Sequence, residues 1–367
     1  MAHQICINRI QVADEYPSQM EICISERCNL DCNYCFINKI NPRELSMEQA
    51  RRGIDLFLNM GPKKKTITFN SGEPLLKAKK LSNIIVYALS KAKERNIKLD
   101  IIVTTNGLLL NRRIFNFLSN KAQINISMDG RKESHDAHRL LKSAKKCASF
   151  ERIQKNTKHL PKENLRLIAT LTKDNFPYIY DNFIFFVGEG YKKFDFFPEM
   201  FVKYNRYELD LLRSEMTKIK EFILEYNNKE EKTMNMFWTN RLWGKSCYNK
   251  VLLGSDGNFY LFDAILILPR IKRSKYIVGD TNTGIGYKKR QRLFASIMNE
   301  AYTSIEKRCQ FCYLNQQCIF PIPLFLWCKQ NQKNFIQYFN NFCKVAKIYL
   351  GLSKRGNCDK IEFKDKK

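Results

Sequence analysis

Six short runs of strand-forming residues alternate with helical stretches between Gln19 and Phe197, and that alternation narrows the fold more than any other feature. Strands separated by helices pair in parallel, because a right-twisted strand feeding a right-handed crossover packs back onto its own sheet. The runs are QMEICIS (19–25), TITFN (66–70), DIIVTT (100–105), QINISM (123–128), LRLIAT (165–170) and KFDFF (193–197). Helical patterns fill most of the gaps. SMEQARRGIDLFLNMG has Ser46 as N-cap, Gln49 completing a capping box and Gly61 past its end. Further helices are expected up to about Arg95, over 111–119, over PYIYDNFIFFVGEG and over about 205–228. The segment between the fourth and fifth strands reads as irregular and polar. Six units do not close a standard eight-stranded barrel, so the expectation is an α/β fold built as an open, partial (β/α)6 TIM-like barrel.

The unusual motifs fall where such a fold puts its active site. CNLDCNYC follows the first strand, SGEP (71–74) the second, TTNG (104–107) closes the third and SMDG (127–130) the fourth. Strand C-termini of a parallel sheet share one rim, so four motifs meet there.

CNLDCNYC sets Cys28, Cys32 and Cys35 in a C-x3-C-x2-C spacing. Structural zinc takes four closed ligands, commonly as two C-x2-C pairs. Three thiolates on one loop with no fourth nearby fit an iron–sulfur cube with one open iron, although zinc remains an alternative.

With Tyr34 before the third cysteine, this motif resembles the signature of the radical S-adenosylmethionine (SAM) enzymes, whose fold is the partial six-unit barrel. The resemblance implies a 4Fe–4S cluster on Cys28, Cys32 and Cys35 that binds SAM, cleaves it to a 5′-deoxyadenosyl radical and so removes a hydrogen atom from substrate. SGEP resembles the family's GGEP, with Ser71 in place of the first glycine. By that likeness Gly72 lets backbone approach the methionine moiety and Glu73 accepts from the SAM ammonium. SMDGRKESHDAHR (127–139) resembles a segment of the peptide- and protein-modifying branch. It implies that Ser127 contacts the ribose, Arg139 the SAM carboxylate, and that Asp129 orients nearby groups, with Tyr34 beside the adenine through its backbone. Taken singly, Glu73 and Asp129 also read as turn residues and Arg139 as a surface residue. His135 and His138 are read as structural, not as ligands.

CQFCYLNQQC near the other end gives C-x2-C-x5-C at Cys309, Cys312 and Cys318, and Cys343 follows. This resembles the cysteine-rich SPASM extension of the same enzymes, which carries auxiliary clusters. Where that pattern expects further cysteines this chain has Phe262 and Ile322, leaving Cys247 stranded. One auxiliary 4Fe–4S cluster is therefore expected, on Cys309, Cys312, Cys318 and Cys343. Cys328 competes for the fourth place, and zinc on the same thiolates is the alternative metal. Asp263 follows the lost cysteine in a string, GNFYLFD, that resembles the anaerobic sulfatase-maturating relatives, where an aspartate there acts as a base. It also reads as a loop residue.

The expected organisation is a radical SAM partial barrel over 1–230, a SPASM-like domain over 231–350 and a basic, disordered tail over 351–367. Thirteen cysteines without a secretory signal argue against a disulfide framework. No apolar run spans a membrane, and a cytoplasmic location is expected. The net charge of +27 is spread along the chain without a nucleic-acid-binding signature, so a metal- or RNA-binding role ranks behind catalysis. The expected enzyme modifies a residue of a peptide or protein substrate, chiefly in maturing a ribosomally made peptide by thioether or carbon–carbon crosslinking or by epimerisation. Formylglycine generation in a sulfatase is the second possibility. A low-potential flavodoxin or ferredoxin is the implied electron donor.

Overall fold

In a computed structural model of the protein, the described residues are 16–37, 41–142, 149–229, 234–236, 249–304 and 322–353. Strand β1 (Gln19–Ile22) leads through the first cysteine loop to α1 (Met47–Leu58). Then come β2 (Lys64–Phe69), α2 (Ala78–Glu94), β3 (Lys98–Thr105), α3 (Arg112–Ser119) and β4 (Gln123–Ser127). Short α4 (Lys132–Asp136) and α5 (Phe150–Thr157) precede β5 (Leu165–Leu171), α6 (Ile179–Gly188), β6 (Lys193–Pro198) and α7 (Arg206–Lys229).

The helices begin where local chemistry satisfies their first amides. The Gln49 N–H donates to the Ser46 hydroxyl and the Ser46 N–H to Gln49 Oε1, each at 3.0 Å, which is the expected capping box. At α3 the Ile114 N–H donates to Asn111 Oδ1 at 2.9 Å. One expectation fails: the segment taken as irregular contains α4 and α5. Ser149 stands at the N-cap of α5, but its hydroxyl donates to the Arg139 carbonyl instead of capping, so the usual start signal is missing.

Strands β1 to β6 lie side by side in chain order, all parallel. The barrel stays open. The edge of β6 pairs in parallel with β7 (Asn235–Met236), and that of β1 in parallel with β8 (Lys250–Leu253). Antiparallel β9 (Asn258–Tyr260) continues the sheet. After α8 (Arg270–Arg273) come β10 (Ile277–Asp280) and β11 (Gly284–Ile285), which complete a single eleven-stranded sheet among the described residues. Helices α9 (Tyr287–Thr303), α10 (Ile322–Gln330) and α11 (Phe335–Ser353) follow.

Alternation sorts the two sheet faces. Met20, Ile22, Ile67, Phe69, Ile101, Val103, Ile124, Ile126, Leu167 and Phe194 are buried in the core. The other face is polar and partly open. Thr66, Thr68, Thr104, Ser127 and Thr170 are half-buried there. Arg166 and Asp195 are buried on it and pair at 3.0 Å. A closed barrel fills that face with branched apolar side chains, whereas this one carries polar groups there.

Candidate functional site

The first cysteine loop is held from two sides. Segment 138–142 runs against it through one antiparallel bridge, Leu30 to Leu141. The Asp31 N–H donates to the Leu140 carbonyl at 2.9 Å and the Asn33 N–H to the His138 carbonyl at 3.2 Å. On the other side Asn106, at the end of β3, donates through Nδ2 to Cys28 Sγ at 3.8 Å and to Asn29 Oδ1 at 2.7 Å. The Leu30 N–H also donates to Cys28 Sγ, at 3.4 Å. Donors aimed at sulfur stabilise the thiolate that a metal centre needs.

Cys28, Cys32 and Cys35 are all half-buried. Burial pushes the Cys32 thiol up to about 11; Arg139 opposes this, while Cys35, Asp129 and Cys28 add to it. The three cysteines thus share one field. Among the described residues no group of three or more His, Cys, Asp or Glu side chains could hold a single metal ion.

Gly72 and Glu73 tie the second strand end into the same rim. Gly72 has φ +65°, and a Cβ there would stand 2.4 Å from the Ser25 carbonyl oxygen and 2.5 Å from that of Arg27. Only glycine lets the SGEP turn lie so close to the backbone that enters the cysteine loop. The Glu73 N–H then donates to the Arg27 carbonyl at 2.8 Å. The buried Glu73 carboxylate accepts from the Leu75 N–H at 2.9 Å, the Thr105 hydroxyl at 2.7 Å and the Asn106 N–H at 2.7 Å. Burial raises its pKa and these donors oppose the rise. Glu73 therefore joins β2 to the end of β3 and sets the backbone of the residue that reaches Cys28.

Asp129 organises the fourth strand end. Arg139 donates to it through Nε and Nη2, both at 2.9 Å. The Thr170 N–H adds a bond at 2.9 Å, and the Tyr34 hydroxyl donates to Oδ2. Burial works against the Asp129 charge, but Arg139 outweighs it and holds the carboxyl below its usual range. The Arg139 guanidinium lies 5.4 Å from the centre of the Tyr34 ring, a cation–π contact. Arg139 is buried, so the surface reading falls. Its charge sits beside Cys32, anchored on Asp129. Ser127 ends β4 half-buried on the open face.

His135 and His138 are both tied into the fold by hydrogen bonds. The Asp129 N–H donates to His135 Nδ1 at 3.4 Å, and Nε2 lies 2.9 Å from the Ser149 hydroxyl. His138 Nδ1 meets the Asn33 side chain and Nε2 the Thr172 hydroxyl, each at 2.9 Å.

Asp263 stands just beyond β9, its side chain 26% exposed, with the Lys250 ammonium 2.9 Å from Oδ2. Burial raises its pKa, yet Lys250 holds it below the usual range. It contacts buried Glu21 of β1, a residue sequence reasoning missed. The signal was present: a charged residue alternating with Met20 and Ile22 in a parallel strand has to face the open side. Asn106 was missed as a sulfur partner, although TTNG marked its position. Cys343 is half-buried on α11, whereas Cys328 on α10 is fully buried and its thiol is pushed up to about 11 by that burial. Cys309, Cys312, Cys318 and the stranded Cys247 lie outside the described residues.

Residues 22–196 match the family model of the Radical SAM superfamily, and the chain carries a Radical SAM domain. A Cysteine-type anaerobic sulfatase-maturating enzyme of Clostridium novyi (strain NT) is 29% identical over 184 residues, covering 47% of this chain and 49% of that protein. The chain thus spans about half the length of the curated relatives it matches. Among solved structures, anSMEcpe with bound AdoMet superposes with a TM-score of 0.69 at 17% identity, over 90% of this chain and 96% of that one. Streptococcus suis SuiB bound to its precursor peptide SuiA gives a TM-score of 0.58 at 15% identity, over 88% of this chain and 76% of that one. These two likenesses establish the partial-barrel fold. No helix among the described residues is long and apolar enough to cross a membrane.

Proposed function

We propose that this chain is a radical SAM enzyme that takes a hydrogen atom from a residue of a peptide or protein, most directly in maturing a ribosomally made peptide. One observation carries the reading. The cysteine loop touches the end of β3 through Asn106 and Cys28, and the end of β4 through Tyr34 and Asp129, so three strand ends converge on three thiols. A structural role does not need donors aimed at a cysteine sulfur, nor a buried arginine beside Cys32.

In this reading Cys28, Cys32 and Cys35 hold a 4Fe–4S cluster. Bound there with SAM, such a cluster supplies the electron that breaks an S–C bond and yields the 5′-deoxyadenosyl radical. Ser127 offers a hydroxyl to the ribose, and the Gly72 turn presents backbone to the methionine moiety. Arg139, anchored on Asp129, supplies the positive charge that suits the SAM carboxylate. Asp263 is the base that would take the proton released as the substrate radical is oxidised. The partial barrel occupies 1–230 and the SPASM-like unit 231–350, with a basic tail after it. One auxiliary 4Fe–4S cluster sits on Cys309, Cys312, Cys318 and Cys343; the greater exposure of Cys343 favours it over Cys328. A flavodoxin or ferredoxin donates the electron.

Formylglycine generation is the second reading, favoured by the sequence likeness to a sulfatase-maturating enzyme. The deciding experiment is anaerobic reconstitution with iron and sulfide, then addition of SAM and a strong reductant. Release of 5′-deoxyadenosine that vanishes in Cys32→Ala supports the reading. A protein that holds no cluster would overturn it. Presenting a sulfatase-derived cysteine peptide beside candidate precursor peptides then separates the two substrate classes.

A further inference from the structure

We propose that Glu21 and Asp263 hold a single proton between them, and that Glu21 is the positioning residue that aims the Asp263 carboxylate into the open face of the sheet. The observations are geometric first. Glu21 is in register with Thr68 of β2 and Leu252 of β8, so it lies on the face away from the apolar core. It is 2% exposed. Its Oε1 accepts from the Ser71 hydroxyl, while its buried Oε2 meets no donor among the described residues. The group within hydrogen-bonding reach is the Asp263 carboxyl. Two carboxylates in contact repel unless a proton lies between them. A proton on Glu21 Oε2 satisfies that atom and turns the repulsion into a hydrogen bond to Asp263.

The surrounding charges fit that state. Among the described residues Lys250 is the cation that pairs with Asp263, at 2.9 Å. Arg270 and Arg273 serve another carboxylate: Arg270 meets Glu26 Oε2 at 2.9 Å and Arg273 meets Glu26 Oε1 at 2.6 Å, while Arg290 donates to the Lys250 carbonyl at 3.4 Å. The neighbouring Cys23 thiol is fully buried and stays protonated, pushed well up by that burial and then by Glu26 and Glu21. One ammonium therefore balances one carboxylate, Asp263, and Glu21 is the partner that stays neutral. Burial, followed by the Asp263 charge, pushes the Glu21 carboxyl up to about 8. The state is a charged Asp263 held by Lys250 on one side and by the Glu21 acid on the other, which fixes where its remaining lone pairs point.

This inference deepens the role given above to Asp263, yet its test does not require SAM. The whole chain, purified without oxygen, is titrated by infrared difference spectroscopy with and without 13C-labelled glutamate. A protonated glutamate carbonyl band is expected at neutral pH, fading with a midpoint near 8. Glu21→Gln should remove it. In Asp263→Asn the midpoint should fall by about one pH unit or more, because a charge that raised it is gone. Absence of any label-sensitive band at neutral pH, its survival in Glu21→Gln, or an unmoved midpoint in Asp263→Asn would each overturn the pairing. If the bands behave as expected while 5′-deoxyadenosine is never released, the pair stands and the functional reading falls. If SAM is cleaved and no band is seen, the reverse holds.

Discussion

Arg139 grips Asp129 through two parallel hydrogen bonds, Nε to Oδ2 and Nη2 to Oδ1, each 2.9 Å long and both buried. The pair joins the end of β4 to the segment that flanks the cysteine loop, and Tyr34 hangs from the same carboxylate. Its value is positional, since a buried ion pair repays its desolvation only when every lone pair is used, as the added Thr170 N–H does here.

Removing one partner leaves a buried charge. Asp129→Ala is expected to destabilise the protein by about 3–5 kcal/mol, read from anaerobic urea denaturation. Arg139→Lys keeps the charge but loses the two-pronged grip, so it should fall between wild type and Asp129→Ala, and should weaken SAM binding in equilibrium dialysis. An Asp129→Ala protein as stable as wild type would contradict the pairing.

Gly72→Ala tests the close approach of the SGEP turn. The residue has φ +65° and no room for a Cβ against two carbonyl oxygens. Backbone strain of about 1–3 kcal/mol is expected before the clash is counted. The turn must then retreat from the cysteine loop, so iron bound per chain after reconstitution should drop along with Tm. Full iron content in this variant would show that the loop does not depend on the turn.

His135 makes the fold acid-sensitive. Burial lowers its pKa to about 3, from an ordinary value of 6.5. The unfolded chain therefore binds a proton that the folded one refuses between those values. The stability contributed is complete above 6.5 and is lost as the pH falls toward 3, with a slope of at most about 1.4 kcal/mol per pH unit from this group. His135→Gln should flatten that part of the curve in denaturant titrations at successive pH values; an unchanged slope would mean the ring is charged in the fold.

Cys343→Ser and Cys328→Ser should behave differently. The first is expected to lower iron per chain and the auxiliary absorbance without touching the SAM-cleaving cluster. The second should keep its iron and cost about 1–3 kcal/mol, because it puts a hydroxyl at a buried site. Iron loss on Cys328→Ser alone would reverse the assignment.

Much of this was legible beforehand because it is local. The capping box at Ser46, the six strands and the four motifs at their ends depend on spacing within a few residues. Helix α5 was not legible, since the hydroxyl that marks its start serves the Arg139 carbonyl instead. The role of Glu73 was legible only in part. The motif places it at the rim, but its three donors come from Leu75, Thr105 and Asn106, and the last two arrive from the next strand.

The amino-acid order by itself determined the first six strands, that they run parallel in an open sheet, and that four motifs, one of them carrying three thiols, share one rim; β7 to β11 appear only in the structure. Side-chain partners were decided only by the tertiary structure: Asp129 with Arg139 and Tyr34, Asn106 with Cys28, Glu21 with Asp263 and Lys250. The physical reason is range. Periodicity and turn chemistry act over one helical turn or one strand, whereas a buried charge is satisfied by whatever polar group the fold carries to it, and β8 and the segment after β9 bring Lys250 and Asp263 to β1 across the length of the barrel.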